Sequence, residues 1–218
     1  MVYPIIELFL GNLTKLFIRK IYGIENMPKG AFVVVANHSS YLDDFFMPYI
    51  IFKHVNKKLH IFVNSRYYKI FFIKKFLDYH ECIPVDVKKN VPDYKRRRIT
   101  NENAFRDALT YLKKGDVFGI FPEGSRSIDG KLKKAKTGVA RVALEARVPV
   151  IPMGIKGSYE IIPKGAIFPR FKRADIIIGK PIYLDEYYGK EKDYKILEEV
   201  VILIMKKTAK LIGQEYNY

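Results

Sequence analysis

Short apolar runs alternate with amphipathic stretches along most of this chain. Runs with the composition of buried strands, each bounded by polar or turn-forming residues, lie at 31–36 (AFVVVA), 116–121 (DVFGIF), 148–155 (VPVIPMGI) and 174–179 (ADIIIG). Apolar residues follow a helical period at 101–114, Gly138–Ala146 and about 193–212. Strands separated by helices predict an α/β fold with a mixed, partly parallel sheet flanked by helices.

The N-terminal residues 1–22 show a different pattern. Their apolar residues recur at helical spacing and are accompanied by cations at Lys15, Arg19 and Lys20. This pattern is typical of an amphipathic helix that lies in a lipid headgroup layer, or of a terminal helix packed on the domain. We expect neither a secretory signal peptide nor a span of about 18 uninterrupted apolar residues. The sequence thus predicts an N-terminal amphipathic membrane-associating helix over residues 1–22, followed by one domain over 23–218.

Residues 66–77 (RYYKIFFIKKFL) place aromatic and aliphatic side chains between cations. Lysines in such a segment can extend to lipid phosphates while the apolar side chains stay in the interface. An ordinary helix that is partly buried in the core has a similar composition. The segment is therefore either interfacial or a core helix.

Composition adds charge to this picture. The 218 residues contain 39 Lys+Arg and 23 Asp+Glu, a formal net charge of +16. Such a surface attracts polyanions, of which nucleic acid and anionic lipid headgroups are the obvious classes, although basic clusters can also be solvated surface. The single Cys82 cannot form an internal disulfide, and no cysteine cluster for a metal is present, so a reducing cytosolic setting fits best.

The first candidate for chemistry follows the strand at 31–36, in the stretch VVVANHSSYLDDFF. His38 and Asp43 are five positions apart, a spacing that brings side chains together only across a turn. An aspartate that accepts a hydrogen bond from one imidazole nitrogen leaves the other nitrogen as an acceptor, and the ring can then serve as a general base. The other histidines lack partners at metal-ligand spacing, and we take them as structural or surface residues.

The second candidate follows the strand at 116–121, in the stretch GIFPEGSRS. It supplies a tight turn, the Glu123 carboxylate and Arg126, whose guanidinium suits a phosphate. If the two strands are neighbours, these groups lie at the same edge of the sheet as His38. The chain has no nucleophile elbow, glycine-rich phosphate loop or zinc-protease helix, so the substrate itself would have to supply a nucleophilic hydroxyl.

The stretches NHSSYLD and FPEGSRS together resemble the motifs of the glycerolipid acyltransferase family, best known from lysophosphatidate acyltransferases. IPVDV from Ile83 and VPVIPMGIKG from Val148 are similar to the second and fourth motifs of that family. Their order and spacing also match, and the similarity covers about residues 20–160.

The resemblance implies transfer of a fatty acyl group from acyl-ACP or acyl-CoA to the free hydroxyl of 1-acyl-glycerol-3-phosphate. The product would be phosphatidic acid, made in phospholipid synthesis without a bound cofactor or metal. The resemblance assigns the general base to His38 and its orientation to Asp43, and a backbone N–H near Gly124 is a candidate donor to the tetrahedral oxyanion. It assigns the acceptor to the block Glu123, Gly124, Ser125 and Arg126, with Arg126 on the phosphate.

Two positions depart from the family pattern. The second motif usually ends in an arginine, where this chain has Val87, so Lys88, Lys89 or Lys136 would have to supply the missing phosphate contact. Ser125 stands where threonine is commoner and keeps the hydroxyl. The departure at Val87 leaves the acceptor open: glycerol-3-phosphate or another lysophospholipid is the alternative.

The expected partners are anionic membrane lipids, the lysophospholipid acceptor and the acyl thioester. The charge and the basic-aromatic segments predict a peripheral or monotopic enzyme on the cytoplasmic face of the cell membrane. We expect no nucleic-acid partner, although a basic nucleic-acid-binding module is the alternative from a different class of protein.

Overall fold

The computed structural model describes residues 11–218. Within them, seven strands form one sheet in the order β1-β7-β6-β2-β5-β3-β4. The strands are β1 (Ile18–Tyr22), β2 (Phe32–Ala36), β3 (Leu59–Asn64), β4 (Ile83–Val85), β5 (Val117–Ile120), β6 (Val150–Lys156) and β7 (Ala174–Ile178). After the helical residues 11–16, the helices are α1 (Asp43–His54), α2 (Phe71–Tyr79), α3 (Tyr94–Lys113), α4 (Gly138–Ala146), α5 (Ser158–Ile161) and α6 (Tyr194–Ile212).

The sheet is mixed, as the sequence predicts. Strands β6 and β7 pair antiparallel, and the other neighbours in the sheet pair parallel. Strand β2 lies between β5 and β6, and all five of its residues are buried. A central strand covered on both faces needs apolar side chains throughout, which explains the unbroken valine run.

Helices cover both faces of the sheet and form two apolar cores. On one face, Val33 and Val35 of β2 belong to a cluster with buried residues of α3, α4 and α6. On the other face, Phe32 and Val34 belong to a cluster with buried residues of α1. Successive side chains of a strand point to opposite faces, so β2 anchors both cores at once.

The N-terminal prediction needs a correction. Residues 11–16 are helical, but Ile18–Tyr22 form β1, which pairs parallel with β7, so the prediction of helix over residues 18–22 is wrong. Ile18 and Ile21 pack against a core cluster, and the edge of β7 supplies the backbone hydrogen-bond partners that a helix would otherwise provide internally. The sheet therefore begins inside the predicted helical segment, and residues 1–10 of that segment lie outside the described residues.

Residues 66–77 fall into a 3₁₀ turn, Ser65–Lys69, and helix α2. Leu77 is buried, whereas Phe71 and Phe72 are 62% and 80% exposed. The segment thus has one side chain in the core and leaves its phenylalanines open to the surroundings. In the part of the chain that the structure describes, no helix combines the length and the apolarity needed to cross a membrane.

We predict that Gly119→Ala destabilises the fold. Gly119 lies in β5, and a Cβ there would be 2.6 Å from Met47 Sδ and 2.9 Å from Ile61 Cγ2. Overpacking of this kind costs about 1–3 kcal/mol, measurable as a lower free energy of unfolding in urea. Gly138→Ala is the matched control, because a Cβ at this first residue of α4 meets nothing within 4 Å. An unchanged Gly119→Ala stability would contradict the packing described.

Candidate active site

Both motif loops emerge at one edge of the sheet. Strands β2 and β5 are parallel neighbours, so their carboxyl ends lie side by side, as the sequence interpretation required. The backbone N–H of Ser127 donates to the carbonyl oxygen of His38 at 2.8 Å and joins the two loops directly. In open α/β sheets, the crevice at the carboxyl ends of the strands is the usual place for a ligand.

The turn after β2 brings His38 and Asp43 together. Asp43 is the first residue of α1, and its Oδ2 lies 3.2 Å from His38 Nδ1. The same oxygen accepts the backbone N–H groups of Ser39 at 2.6 Å and Ser40 at 2.7 Å. The Asp43 side chain is completely buried. Backbone donors therefore hold the carboxylate in a position from which it meets the imidazole.

The imidazole of His38 is held on its face as well as at Nδ1. The ring of Phe121 stacks on it with centroids 4.2 Å apart, and only 12% of the His38 side chain is exposed. Asp44 Oδ1 lies 3.9 Å from His38 Nε2, which is beyond hydrogen-bonding distance. In the neutral ring, donation from Nδ1 to the Asp43 carboxylate leaves Nε2 as the lone-pair nitrogen, which a substrate hydroxyl can reach.

Glu123 connects the two motif loops. Its Oε1 accepts the backbone N–H of His38 at 2.9 Å and its Oε2 that of Lys133 at 3.0 Å, and its predicted contact with the acceptor stays a prediction. The residue is buried, and burial raises the pKa of its carboxyl to about 6, although both N–H donors oppose the shift. Glu123 thus fixes the His38 loop to the loop after β5.

Gly124 and Ser125 form the exposed turn of this block. Gly124 has a φ of +68°, and its N–H donates to the carbonyl oxygen of Phe121 at 3.0 Å, so this N–H has a partner within the turn. A Cβ on Gly124 would come within 2.9 Å of Lys136 Nζ. The Ser125 hydroxyl accepts a hydrogen bond from Lys133 Nζ. Lys136 therefore lies beside the block, and Lys133, which the sequence interpretation did not single out, lies there too.

Arg126 lies over the ring of Tyr41, with its Cζ 3.2 Å from the ring centroid. Tyr41 belongs to the turn that follows His38, so the guanidinium lies against the loop that carries the base. Arg126 Nη1 is buried and has no hydrogen-bond partner within residues 11–218. A buried charged donor without a partner is costly, and an anionic ligand would relieve that cost.

A cleft of about 840 Å³ opens beside Arg126, and its lining includes the cations Lys131, Lys133 and Lys164. Partial burial lowers the pKa of Lys133; the Glu123 carboxyl opposes this shift, and the nearby Lys164 and Lys136 add to it. His38 is not in the lining of this cleft, so the cleft flanks the base on the guanidinium side. With Arg126, these lysines outnumber the two acids of the lining, Asp129 and Glu215, and place net positive charge near His38. This charge suits an acceptor that carries both a hydroxyl and a phosphate.

Lys88 is separated from this cluster. It follows β4, which lies three strand positions from β2, or roughly 14 Å at the usual spacing of about 4.8 Å. Lys88 shares the carboxyl edge with His38 but not the immediate site. Asp86, just before Val87 in the divergent motif, is buried and accepts a hydrogen bond from the Ser65 hydroxyl. Through Asp86, this motif is therefore anchored to the turn that follows β3.

Asn37 is a positioning residue that the sequence interpretation overlooked. Its Oδ1 accepts the backbone N–H of Ile155 at 2.7 Å and its Nδ2 donates to the carbonyl oxygen of Ile155 at 3.0 Å. The side chain thus extends the pairing of β2 with β6 by one step and aims the chain into the His38 turn. The available signal was a polar residue directly after a buried strand, but the identity of its partner depends on the sheet order.

Comparison with known proteins places the chain in a family. A family model described as Acyltransferase matches residues 18–156, which is more than half of the chain. The chain belongs to this acyltransferase family. The nucleic-acid-binding alternative gains no support from the match.

Three similar proteins all have names that describe them as 1-acyl-glycerol-3-phosphate acyltransferases. The 1-acyl-sn-glycerol-3-phosphate acyltransferase of Bacillus subtilis is 27% identical over 175 residues, covering 77% of this chain and 75% of the relative. The chloroplastic acyltransferase LPAT1 of Arabidopsis thaliana is 32% identical over 169 residues, covering 75% of this chain but only 43% of the relative. The crystal structure of the LPA acyltransferase PlsC from Thermotoga maritima matches 90% of this chain and 75% of that one, with a TM-score of 0.62 at 30% identity.

We predict a pH-dependent contribution of Glu123 to stability. Its pKa rises from 4.5 to about 6 in the fold, so the folded state binds a proton more tightly, and the stabilisation present below about pH 4.5 is lost as the pH rises through 6. At about 1.4 kcal/mol per pKa unit, the loss is about 2 kcal/mol. Urea unfolding of wild type and Glu123→Gln across this range gives the difference. A difference that does not change with pH would contradict the burial of this carboxyl.

Proposed function

We propose that this acyltransferase moves a fatty acyl group from an acyl thioester to the free hydroxyl of 1-acyl-glycerol-3-phosphate, giving phosphatidic acid. One observation carries the choice of acceptor: the buried, unpartnered Nη1 of Arg126 lies in the loop that adjoins the turn of His38. A phosphomonoester joined to a hydroxyl by a short glycerol backbone fits a guanidinium and a base in adjacent loops. The printed names of the similar proteins agree with this acceptor.

In the proposed mechanism, His38 Nε2 takes the proton of the acceptor hydroxyl while the hydroxyl oxygen attacks the thioester carbonyl carbon. The Asp43 carboxylate stabilises the imidazolium that forms, since Asp43 Oδ2 lies 3.2 Å from Nδ1. Collapse of the tetrahedral intermediate breaks the carbon–sulfur bond, and the imidazolium returns its proton to the leaving thiolate. No covalent acyl-enzyme is needed, because the substrate supplies the nucleophile.

The acceptor phosphate is proposed to bind Arg126, with Lys133 and Lys136 completing its surroundings. Lys133 Nζ already donates a hydrogen bond to the carbonyl oxygen of Ser125, and Lys136 Nζ lies next to Gly124. The positive charge of these side chains would balance a phosphate dianion. The bound phosphate would in turn offset the repulsion between them. Lys88 follows β4, three strand positions from β2, and we propose that it contributes to the general positive field of that edge.

The acyl donor is proposed to be acyl-ACP or acyl-CoA, and the reaction is assigned to phospholipid synthesis. The proposed location is the cytoplasmic face of the cell membrane, where a protein with a formal charge of +16 binds anionic lipids peripherally. The acceptor supports this location because a lysophospholipid resides in the bilayer, so the enzyme has to reach it there.

We predict that His38→Ala lowers kcat for acyl transfer by about 10²- to 10⁴-fold, because the general base is lost. The assay uses purified protein, an acyl thioester and 1-acyl-glycerol-3-phosphate. His54→Ala is the matched control, since His54 is exposed at the far end of α1 from Asp43. Full activity of the His38 variant would refute the mechanism, as would an equal loss in both variants.

We predict that Arg126→Met lowers kcat/KM for 1-acyl-glycerol-3-phosphate by about 10- to 100-fold, the size expected for a lost charged hydrogen bond. Transfer to a monoacylglycerol, which lacks the phosphate, should change little. Lys88→Met is the control and should leave both reactions near wild type. An equal loss on both acceptors would show that Arg126 does not bind phosphate, and a wild-type preference for glycerol-3-phosphate or another lysophospholipid would replace the proposed acceptor.

A further inference from the structure

We propose that the loop 163–173, between α5 and β7, docks the enzyme onto an anionic lipid bilayer beside the active site. The inference rests on the proposed function in one respect, namely that the acceptor is drawn from a bilayer. The loop belongs neither to the catalytic residues nor to the phosphate site, apart from Lys164 at the rim of the cleft.

The loop combines extreme apolar exposure with uniform positive charge. Ile167 is 85% exposed, Phe168 is 81% exposed and Phe171 is fully exposed. The sequence of the loop, PKGAIFPRFKR, contains four basic residues and no acidic one. Large apolar side chains that project beyond cations are typical of segments that insert into the headgroup layer, where the cations meet lipid phosphates.

The base of the loop is fixed next to the catalytic turn. The backbone N–H of Arg170 donates to the carbonyl oxygen of Ile161 at 2.9 Å and closes the loop. The Ser40 hydroxyl donates to the carbonyl oxygen of Ile162 at 3.0 Å, and Ser40 also donates its N–H to Asp43. The loop is therefore connected through one serine to the carboxylate that orients His38.

Strand polarity places other exposed apolar segments at the same edge. Strand β7 runs antiparallel to β6, so it starts at the edge where β2 and β6 end. Strand β1 is parallel to β7 and starts there too, directly after the exposed Leu13 and Leu16. Strand β3 is connected to β2 through β5, all parallel, and it ends at this edge just before α2, which carries Phe71 and Phe72. The active-site edge is thus also the apolar edge.

This shared edge favours a bilayer over an acidic protein as the partner. A bilayer can receive several separated apolar segments at once, provided that they lie at one edge of the protein. The acceptor, which resides in that bilayer, then reaches His38 from the membrane side. Charge complementarity attracts either partner, but nearly complete exposure of three large apolar side chains is relieved by hydrocarbon rather than by a carboxylate surface.

The test uses the full chain with Phe168→Ser and Phe171→Ser combined, and sedimentation with phosphatidylcholine vesicles that contain phosphatidylglycerol. We expect vesicle affinity to fall about tenfold or more, because two large apolar groups no longer enter the interface. Thermal unfolding should stay unchanged, as both residues are exposed. Tyr183→Ser is the matched control: Tyr183 is 66% exposed and follows Ile182, which pairs with Val150 at the opposite edge of the sheet.

Activity measurements separate this proposal from the proposed function. The double variant should retain transfer to a short-chain, dispersed lysophosphatidate and lose transfer to the same headgroup embedded in vesicles. Vesicle affinity equal to that of wild type would overturn the docking role, and so would an affinity loss confined to binding of an acidic acyl carrier protein. If wild type binds vesicles through the loop but transfers no acyl group, the docking role stands and the proposed function falls.

Discussion

A single carboxylate oxygen organises the candidate active site. Asp43 Oδ2 accepts hydrogen bonds from His38 Nδ1 and from the backbone N–H groups of Ser39 and Ser40. The backbone donors fix the turn, the turn fixes the carboxylate, and the carboxylate fixes the tautomer and plane of the imidazole. The neighbouring strands keep this turn in place. Strand β6 fixes its start through the hydrogen bonds of Asn37, and the loop after β5 fixes His38 through Glu123.

The positive charge of the chain has a spatial order that its total does not convey. Cations gather on the guanidinium side of His38, where Lys133 and Lys164 line a cleft with Arg126. Exposed apolar side chains gather at the same sheet edge. The position of His38 between a cationic cleft and an apolar rim matches an acceptor with a hydroxyl, a phosphate and an acyl chain. We infer that the same edge selects the headgroup and approaches the lipid.

Much of the fold was predictable because β2, β5, β6, β7 and helices α3, α4 and α6 have strong periodic or uniformly apolar patterns. The other strands lacked such a signal: β3 carries a buried His60 paired with Asp116, β4 has only three residues, and β1 continues the apolar spacing of the preceding helix. The His38 and Asp43 contact followed from the turn between strand and helix. The role of Glu123 did not, because its partners are backbone N–H groups whose positions depend on how β2 and β5 pair.

The most direct test of the central claim is ¹⁵N NMR of the His38 ring, assigned by its disappearance in His38→Gln. In the neutral ring we predict a proton on Nδ1, hydrogen-bonded to Asp43, and an unprotonated Nε2. Asp43→Asn should shift the proton toward Nε2, since the carboxylate no longer holds it. A neutral wild-type ring that carries its proton on Nε2 would contradict the account, because that nitrogen could then accept no proton from a substrate hydroxyl.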